Sequence, residues 1–256
     1  MVVALLAAGF AFTSNAFRIE QVHVVGTRND ALIRSIQRMG MQGQNIFLVN
    51  VSALTARIEA LPFVNSASLG KQLPNQLTVT VVERVPVLLW QTQQGTYSID
   101  HQGVVIAPVS ETGGAERLKT VIMGVDEQGK GNRQTGSAKQ ALRGGMHLDQ
   151  SEIALALEVF NRLPQVTGID AFKLRYDGTI YANTTGGHGT PGSKGSFIVE
   201  SQEGWLAYLG GANDANPLEN RLIELRHILA LAKKQNLNLV TIDLRYGLHP
   251  VYTLKS

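Results

Sequence analysis

The chain has 256 residues, enough for one large or two small folded domains, and its 44% hydrophobic and 17% charged residues exclude a disordered polymer. It has no cysteine, which excludes a disulfide scaffold, a thiolate metal site and a cysteine nucleophile. The net charge of +3 lies between Phe17 and Val87, where seven Lys and Arg face four Asp and Glu; so small an excess carries no nucleic-acid claim and hints only at nearness to an acidic surface.

Residues 1–12, MVVALLAAGFAF, carry no charge. Extended to Phe17 as a helix they span roughly 25 Å, slightly short of a hydrocarbon core of about 30 Å. No basic flank precedes them. Three readings stay open: a membrane anchor whose basic tail lies upstream, a signal peptide, and a buried helix. Either of the first two puts everything after Phe17 outside the cytoplasm. Residues 17–26 alternate, with Phe17 and Ile19 and then Val22 and Val24 apolar, and predict a strand ending at Gly26. Asn29 or Asp30 caps a helix whose apolar face is Leu32, Ile33, Ile36 and Met39, stopped by Gly40. Asn50 or Ser52 opens a second helix, with Val51, Leu54, Ile58 and Leu61 at helical spacing and Pro62 ending it. Residues 61–86 then read as a hairpin turning at Pro74-Asn75, with Leu77, Val79 and Val81 on one face of its second strand. The order strand, helix, helix, strand, strand predicts two helices on one face of a three-stranded sheet, an α+β unit.

Beyond Val87 strands continue through residues 87–108, with a hairpin turn at Asp100-His101-Gln102-Gly103 in which Gly103 takes a positive φ. Residues 110–117 read as a polar loop and 118–123 as a strand, and 124–145 as a glycine-rich loop. Asp149 and Glu152 resemble a capping box that starts a helix with Ile153, Ala156, Leu157 and Phe160 inward, ending before Pro164. Residues 169–183 predict a hairpin about Asp177-Gly178, followed by a second glycine-rich loop over 184–195, then strands at 196–201 and 204–210. Asn216 as cap and Pro217 at the first helical position open a long helix with Leu218, Leu222, Leu225, Leu229 and Ala232 inward. A strand over 238–246 places Val240, Ile242, Leu244 and Tyr246 on one face, and residues 251–254 form a last short strand.

The β-α-α-β-β order resembles a POTRA domain, the polypeptide-transport-associated fold. The strings FRIEQVHVVG, NIF, LPFVNSA and LPNQLTVTVVERVPV, with Trp90, then the Tyr-x-Ile-Asp-x-x-Gly-x-Val pattern from Tyr97, GWLAYLG and TIDLRY, are similar to the FtsQ/DivIB family of bacterial cell-division proteins. The resemblance covers nearly everything from Phe17 onward. It implies a bitopic protein with residues 1–16 as anchor or its remnant, a POTRA-like domain at 17–87 and a β-rich mixed α/β domain at 88–256. It also implies a divisome role at the septum, no catalysis, and binding of an FtsB–FtsL pair through the end of the β-domain, linking it to septal peptidoglycan synthesis.

No catalytic constellation emerges from the residues themselves. Gly124-x-x-x-x-Gly129-Lys130 approaches a phosphate-binding loop, but Gly131 stands where a Ser or Thr must hold magnesium and no helix follows. His23, His101, His147, His188, His227 and His249 are scattered, with no pair at metal-ligand spacing. Asp243 and Arg245, two apart on a strand, read as a structural ion pair. No cofactor, metal or small-molecule substrate is expected. What remains is binding: the short last strand, entered through Pro250, is a natural sheet edge able to accept a partner strand. Candidate partner-binding residues are Val251, Tyr252, Thr253 and Leu254, with Leu244 and Tyr246 beside them; the competing reading is that Tyr252 and Leu254 only pack the core. The runner-up function is a POTRA-containing envelope secretion or assembly docking factor.

Overall fold

The computed structural model describes residues 12, 14–123, 142–178, 195–245 and 249–255, and the chain divides into two units, Met1–Val85 and Pro86–Ser256. In the first, the elements are β1 (Gln21–Val25), α1 (Asp30–Gln37), α2 (Val51–Glu59), β2 (Val64–Gln72) and β3 (Gln76–Glu83). The sheet order is β1-β3-β2, with β1 parallel and β2 antiparallel to the central β3. The alternation in β3 dictates what is inside: Leu77, Val79 and Val81 are buried against Leu32 and Ile36 of α1 and Leu54 and Ile58 of α2, while Thr80 and Val82 face water. Asn29 Oδ1 accepts from the amides of Ala31 and Leu32, and Asn50 Oδ1 from that of Ala53, so Asn rather than Asp30 or Ser52 supplies both caps. The first strand is shorter than its sequence pattern. Phe17 C=O and Ile19 N–H bond instead to Ile46 and Gln44, each at 2.9 Å, which ties residues 17–19 to the α1–α2 loop.

The second unit carries β4 (Pro86–Thr92), β5 (Gly95–Asp100), β6 (Val105–Pro108), β7 (Thr120–Met123), α3 (Gln150–Thr167), β8 (Phe172–Asp177), β9 (Ser196–Ser201), β10 (Leu206–Gly210), α4 (Leu218–Gln235), β11 (Leu239–Asp243) and β12 (Val251–Leu254). They form one nine-stranded sheet in the order β12-β11-β10-β9-β8-β7-β4-β5-β6. The pairs β7–β8 and β10–β11 are parallel neighbours, which requires a crossover between their strands, and α3 and α4 lie on those crossovers. Both helices pack into the core with Trp90, Tyr176 and Phe197, whose rings meet edge to face at 5.4 and 4.9 Å between centroids.

Three sequence expectations change. Helix α3 runs through Pro164 to Thr167: the proline cannot donate to Phe160 C=O, yet the turn continues and the Pro164 C=O accepts from Gly168 N–H at 2.9 Å. Its centre is Ile153, Leu155, Ala156, Val159 and Leu163, with Leu157 and Phe160 at the margin. Helix α4 starts at Leu218, since Pro217 is extended (ψ 149°) and stands outside it as the cap residue. Strand β8 pairs with β7 on one side and β9 on the other; the hairpin partner expected within 179–183 lies outside the described residues.

The β5–β6 turn is built as its residues require. Asp100 Oδ1 accepts from Gln102 and Val104 amides at 2.9 and 2.8 Å, and Gly103 has φ +82° with Leu148 O only 2.5 Å from where a Cβ would lie. Gly103→Ala is expected to lower unfolding free energy by about 2–3 kcal/mol, checked by urea denaturation. Among the described residues no helix is long and apolar enough to cross a membrane.

Candidate partner-binding edge

Strand β12 forms one outer edge of the nine-stranded sheet, antiparallel to β11, with Leu254 opposite Leu239, Thr253 opposite Thr241, Tyr252 opposite Ile242 and Val251 opposite Asp243. Two ties hold it there. Thr241 and Thr253 hydroxyls meet at 2.6 Å, with Thr253 Oγ1 also accepting from Thr241 N–H, and Lys255 N–H donates to Asn238 O at 2.8 Å. Asp243 and Arg245 close the far end of β11. The guanidinium donates to both carboxylate oxygens at 2.9 and 2.5 Å and its carbon lies 5.0 Å from the centre of the Tyr208 ring on β10. Burial alone would raise the Asp243 pKa, but the Arg245 hydrogen bonds and charge hold it below the usual carboxylate range. The pair clamps β10 to β11 as a structural element.

All four β12 side chains are exposed: Val251 at 53%, Tyr252 at 38% and Leu254 at 46%, with Thr253 exposed beside them. Tyr252 and Leu254 are not members of the buried core. Leu244 is, at 0% exposure, with its N–H bonded to Tyr208 O, so it cannot touch a partner and leaves the candidate set. Leu244 keeps the period-two alternation with Ile242, also 0% exposed, while Val240, at the β-bulge between Leu239 and Thr241, is 38% exposed. Tyr246 lies outside the described residues, as do the phosphate-loop-like run 124–130 and His188. Among the described residues no group of three or more His, Asp or Glu could hold a metal ion.

The sequence reading missed a polar cluster in the core of the second unit. Glu152 does not complete a capping box; it is 6% exposed and accepts from Ala212 N–H through both oxygens at 3.4 Å. Arg221, 2% exposed, donates to Leu209 O and, at 3.4 Å, to Gly211 O, and lies 3.7 Å from Asp214, which itself accepts from Gly211 N–H at 3.0 Å. Three charged side chains therefore grip residues 209–214, the link from β10 to α4. Burial pushes the Glu152 pKa up to about 7, with the nearby Asp149 and Asp214 charges adding and the Ala212 amide and Arg221 opposing. These groups face backbone, so the cluster serves the architecture. The signal was present: Glu152 and Arg221 each sit at helical spacing within the apolar stripes of their helices.

That shift has a sign. A carboxyl near 4.5 when unfolded and about 7 when folded contributes stability that is complete below pH 4.5 and is lost as pH rises through 7. The full span is about 3 kcal/mol. Glu152→Gln keeps an acceptor for Ala212 and removes the titration. It is expected to match the wild type near pH 4.5 and exceed it by up to about 3 kcal/mol at pH 8, read as the difference in denaturant midpoints across pH.

The family described as "POTRA domain, FtsQ-type" matches residues 17–84. The chain is 30% identical over 176 residues to cell division protein FtsQ of Chloroflexus aggregans, covering 69% of this chain and 60% of that relative. It is 27% identical over 229 residues to cell division protein FtsQ of Chloroflexus aurantiacus, covering 90% and 72%. With the FtsQ of Syntrophotalea carbinolica it shares 29% identity over 163 residues, covering 63% and 52%.

Proposed function

Since the chain belongs to the FtsQ/DivIB family of bacterial cell-division proteins, we propose that it is a non-catalytic divisome scaffold that binds an FtsB–FtsL pair by strand addition at β12. In this reading residues 1–16 anchor the protein in the cell membrane by a single pass, and the POTRA domain (17–87) and β-domain (88–256) lie outside the cytoplasm at the division septum. Binding the pair there couples it to the septal peptidoglycan synthesis machinery.

The observation that carries this is the open ladder of β12: a short outer strand with Val251, Tyr252, Thr253 and Leu254 all exposed. An antiparallel or parallel strand laid along it gains backbone hydrogen bonds of about 1 kcal/mol net each, and Tyr252 and Leu254 add the apolar contact that the ladder alone lacks. The sheet behind is rigid where it matters, because the Asp243–Arg245–Tyr208 clamp and the paired threonines fix β11 and β12 before a partner arrives. Little ordering is then left for the binding step to offset.

The test is location together with capture. A fluorescently tagged chain is expected to concentrate at midcell in dividing cells, and the purified chain to retain FtsB–FtsL. A uniform envelope signal with no retention overturns the proposal and favours an envelope docking factor.

A further inference from the structure

We propose that one end of the first unit, formed by Phe12, Phe47 and Leu48, seats in the headgroup layer of the bilayer itself; this rests on the anchor reading above. The charge-free run of residues 1–12 enters the described structure at Phe12, and Phe12 is not a free tail there. Its C=O accepts from Asn45 Nδ2 at 3.1 Å, and its ring centre lies 6.2 Å from that of Phe47, which in turn lies 5.2 Å from Phe17. The point where an anchor would leave the hydrocarbon is thereby fastened to the 44–49 loop. Each polar layer of a bilayer is only about 5–8 Å deep, so Phe47 falls within it once Phe12 sits at its inner boundary.

The surface at this end has the matching chemistry. Phe47 is 40% and Leu48 67% exposed, large apolar side chains left in water in the isolated unit. Leu73, 63% exposed, belongs to the turn whose Asn75 O accepts from Glu20 N–H, which brings it to the same end. Arg18 and Lys71 flank the loop, donating to Gly43 O at 3.3 Å and Val49 O at 3.1 Å. Aromatic rings among basic groups are what a lipid–water interface selects. The occupant is lipid rather than a partner helix, because the patch is continuous with the segment that enters the membrane. Val82 provides the contrast. It is 53% exposed but six residues along β3 from Gln76, which pairs with Gln21, and so roughly 20 Å from this end.

The absence of cysteine makes the test clean. Full-length chain carrying Leu5→Cys, Leu48→Cys or Val82→Cys is labelled with a nitrobenzoxadiazole dye and reconstituted into vesicles of phosphatidylethanolamine and phosphatidylglycerol, with and without brominated acyl chains. The expected result is a blue shift and bromine quenching at positions 5 and 48, and neither at 82. Quenching at 5 without quenching at 48 overturns the lipid seat and leaves the anchor standing. No quenching at 5 overturns the anchor separately. A blue shift at 48 without quenching points to protein cover and overturns the proposal, as does equal quenching at 48 and 82.

Discussion

Deleting residues 251–256 is expected to abolish retention of the FtsB–FtsL pair while leaving both units folded. Folding should survive because none of the four β12 side chains belongs to the buried core, so their loss uncovers β11 without opening a cavity. Binding should be lost because strand addition at this edge needs the free N–H and C=O groups of β12. A finer pair of variants separates ladder from side chains. Tyr252→Ala with Leu254→Ala keeps the backbone edge and removes its apolar flank; at about 1–2 kcal/mol per anchor, affinity should fall roughly a hundredfold. Thr253→Pro keeps both anchors and removes a backbone donor together with the Thr241–Thr253 hydroxyl tie, and should weaken retention with little change in overall stability. Surface-immobilised binding curves with the purified pair give the affinities, and thermal melting gives the folding control. Full-strength retention by the truncated chain would remove β12 from the binding site altogether.

Where sequence periodicity was strong, it located structure well. Leu77, Val79 and Val81 alternate with Thr80 and Val82, and a period of two admits only one buried face, so β3 and its neighbours could be placed before any coordinates. The β12 edge was legible for a similar reason: Pro250 starts a strand too short to be a central one. Three things were not legible. Pro164 looked like a stop because proline removes a helical hydrogen bond, yet only the one to Phe160 C=O is lost and the helix closes at Gly168 instead. Leu244 shares the face of Ile242 by alternation, but which face of β11 meets the core depends on how that strand pairs with β10 and β12. The Glu152–Asp214–Arg221 cluster was invisible as a cluster because its members lie on α3, on the link after β10 and on α4, and only the parallel crossovers bring them together. A lone charge on an apolar stripe was the available warning, and twice it marked a buried partner.

Replacing Arg221 with alanine is expected to be among the most damaging single changes in the second unit, at about 3–5 kcal/mol near neutral pH. The guanidinium is almost fully buried, donates to Leu209 O and Gly211 O and lies 3.7 Å from Asp214, so its removal takes a donor from two carbonyls and the counter-charge from Asp214 at once. Burial depresses its pKa from the ordinary arginine range, with Asp214 and Glu152 opposing, and it stays a cation. Without it, Glu152 and Asp214 share a buried site with no counter-charge, and Glu152 takes up a proton more readily still. The cost should therefore shrink as pH falls from 8 to 5, because a neutral Glu152 no longer needs the cation, while the part due to the two carbonyls persists at every pH. Combining Arg221→Ala with Glu152→Gln should recover part of the loss at pH 8 and little at pH 5, a coupling of about 1–2 kcal/mol. Chemical denaturation of the four proteins at both pH values measures all of these terms. A loss below about 0.5 kcal/mol for Arg221→Ala, or a cost that does not change with pH, would mean that residues 209–214 are held by packing and not by these charges.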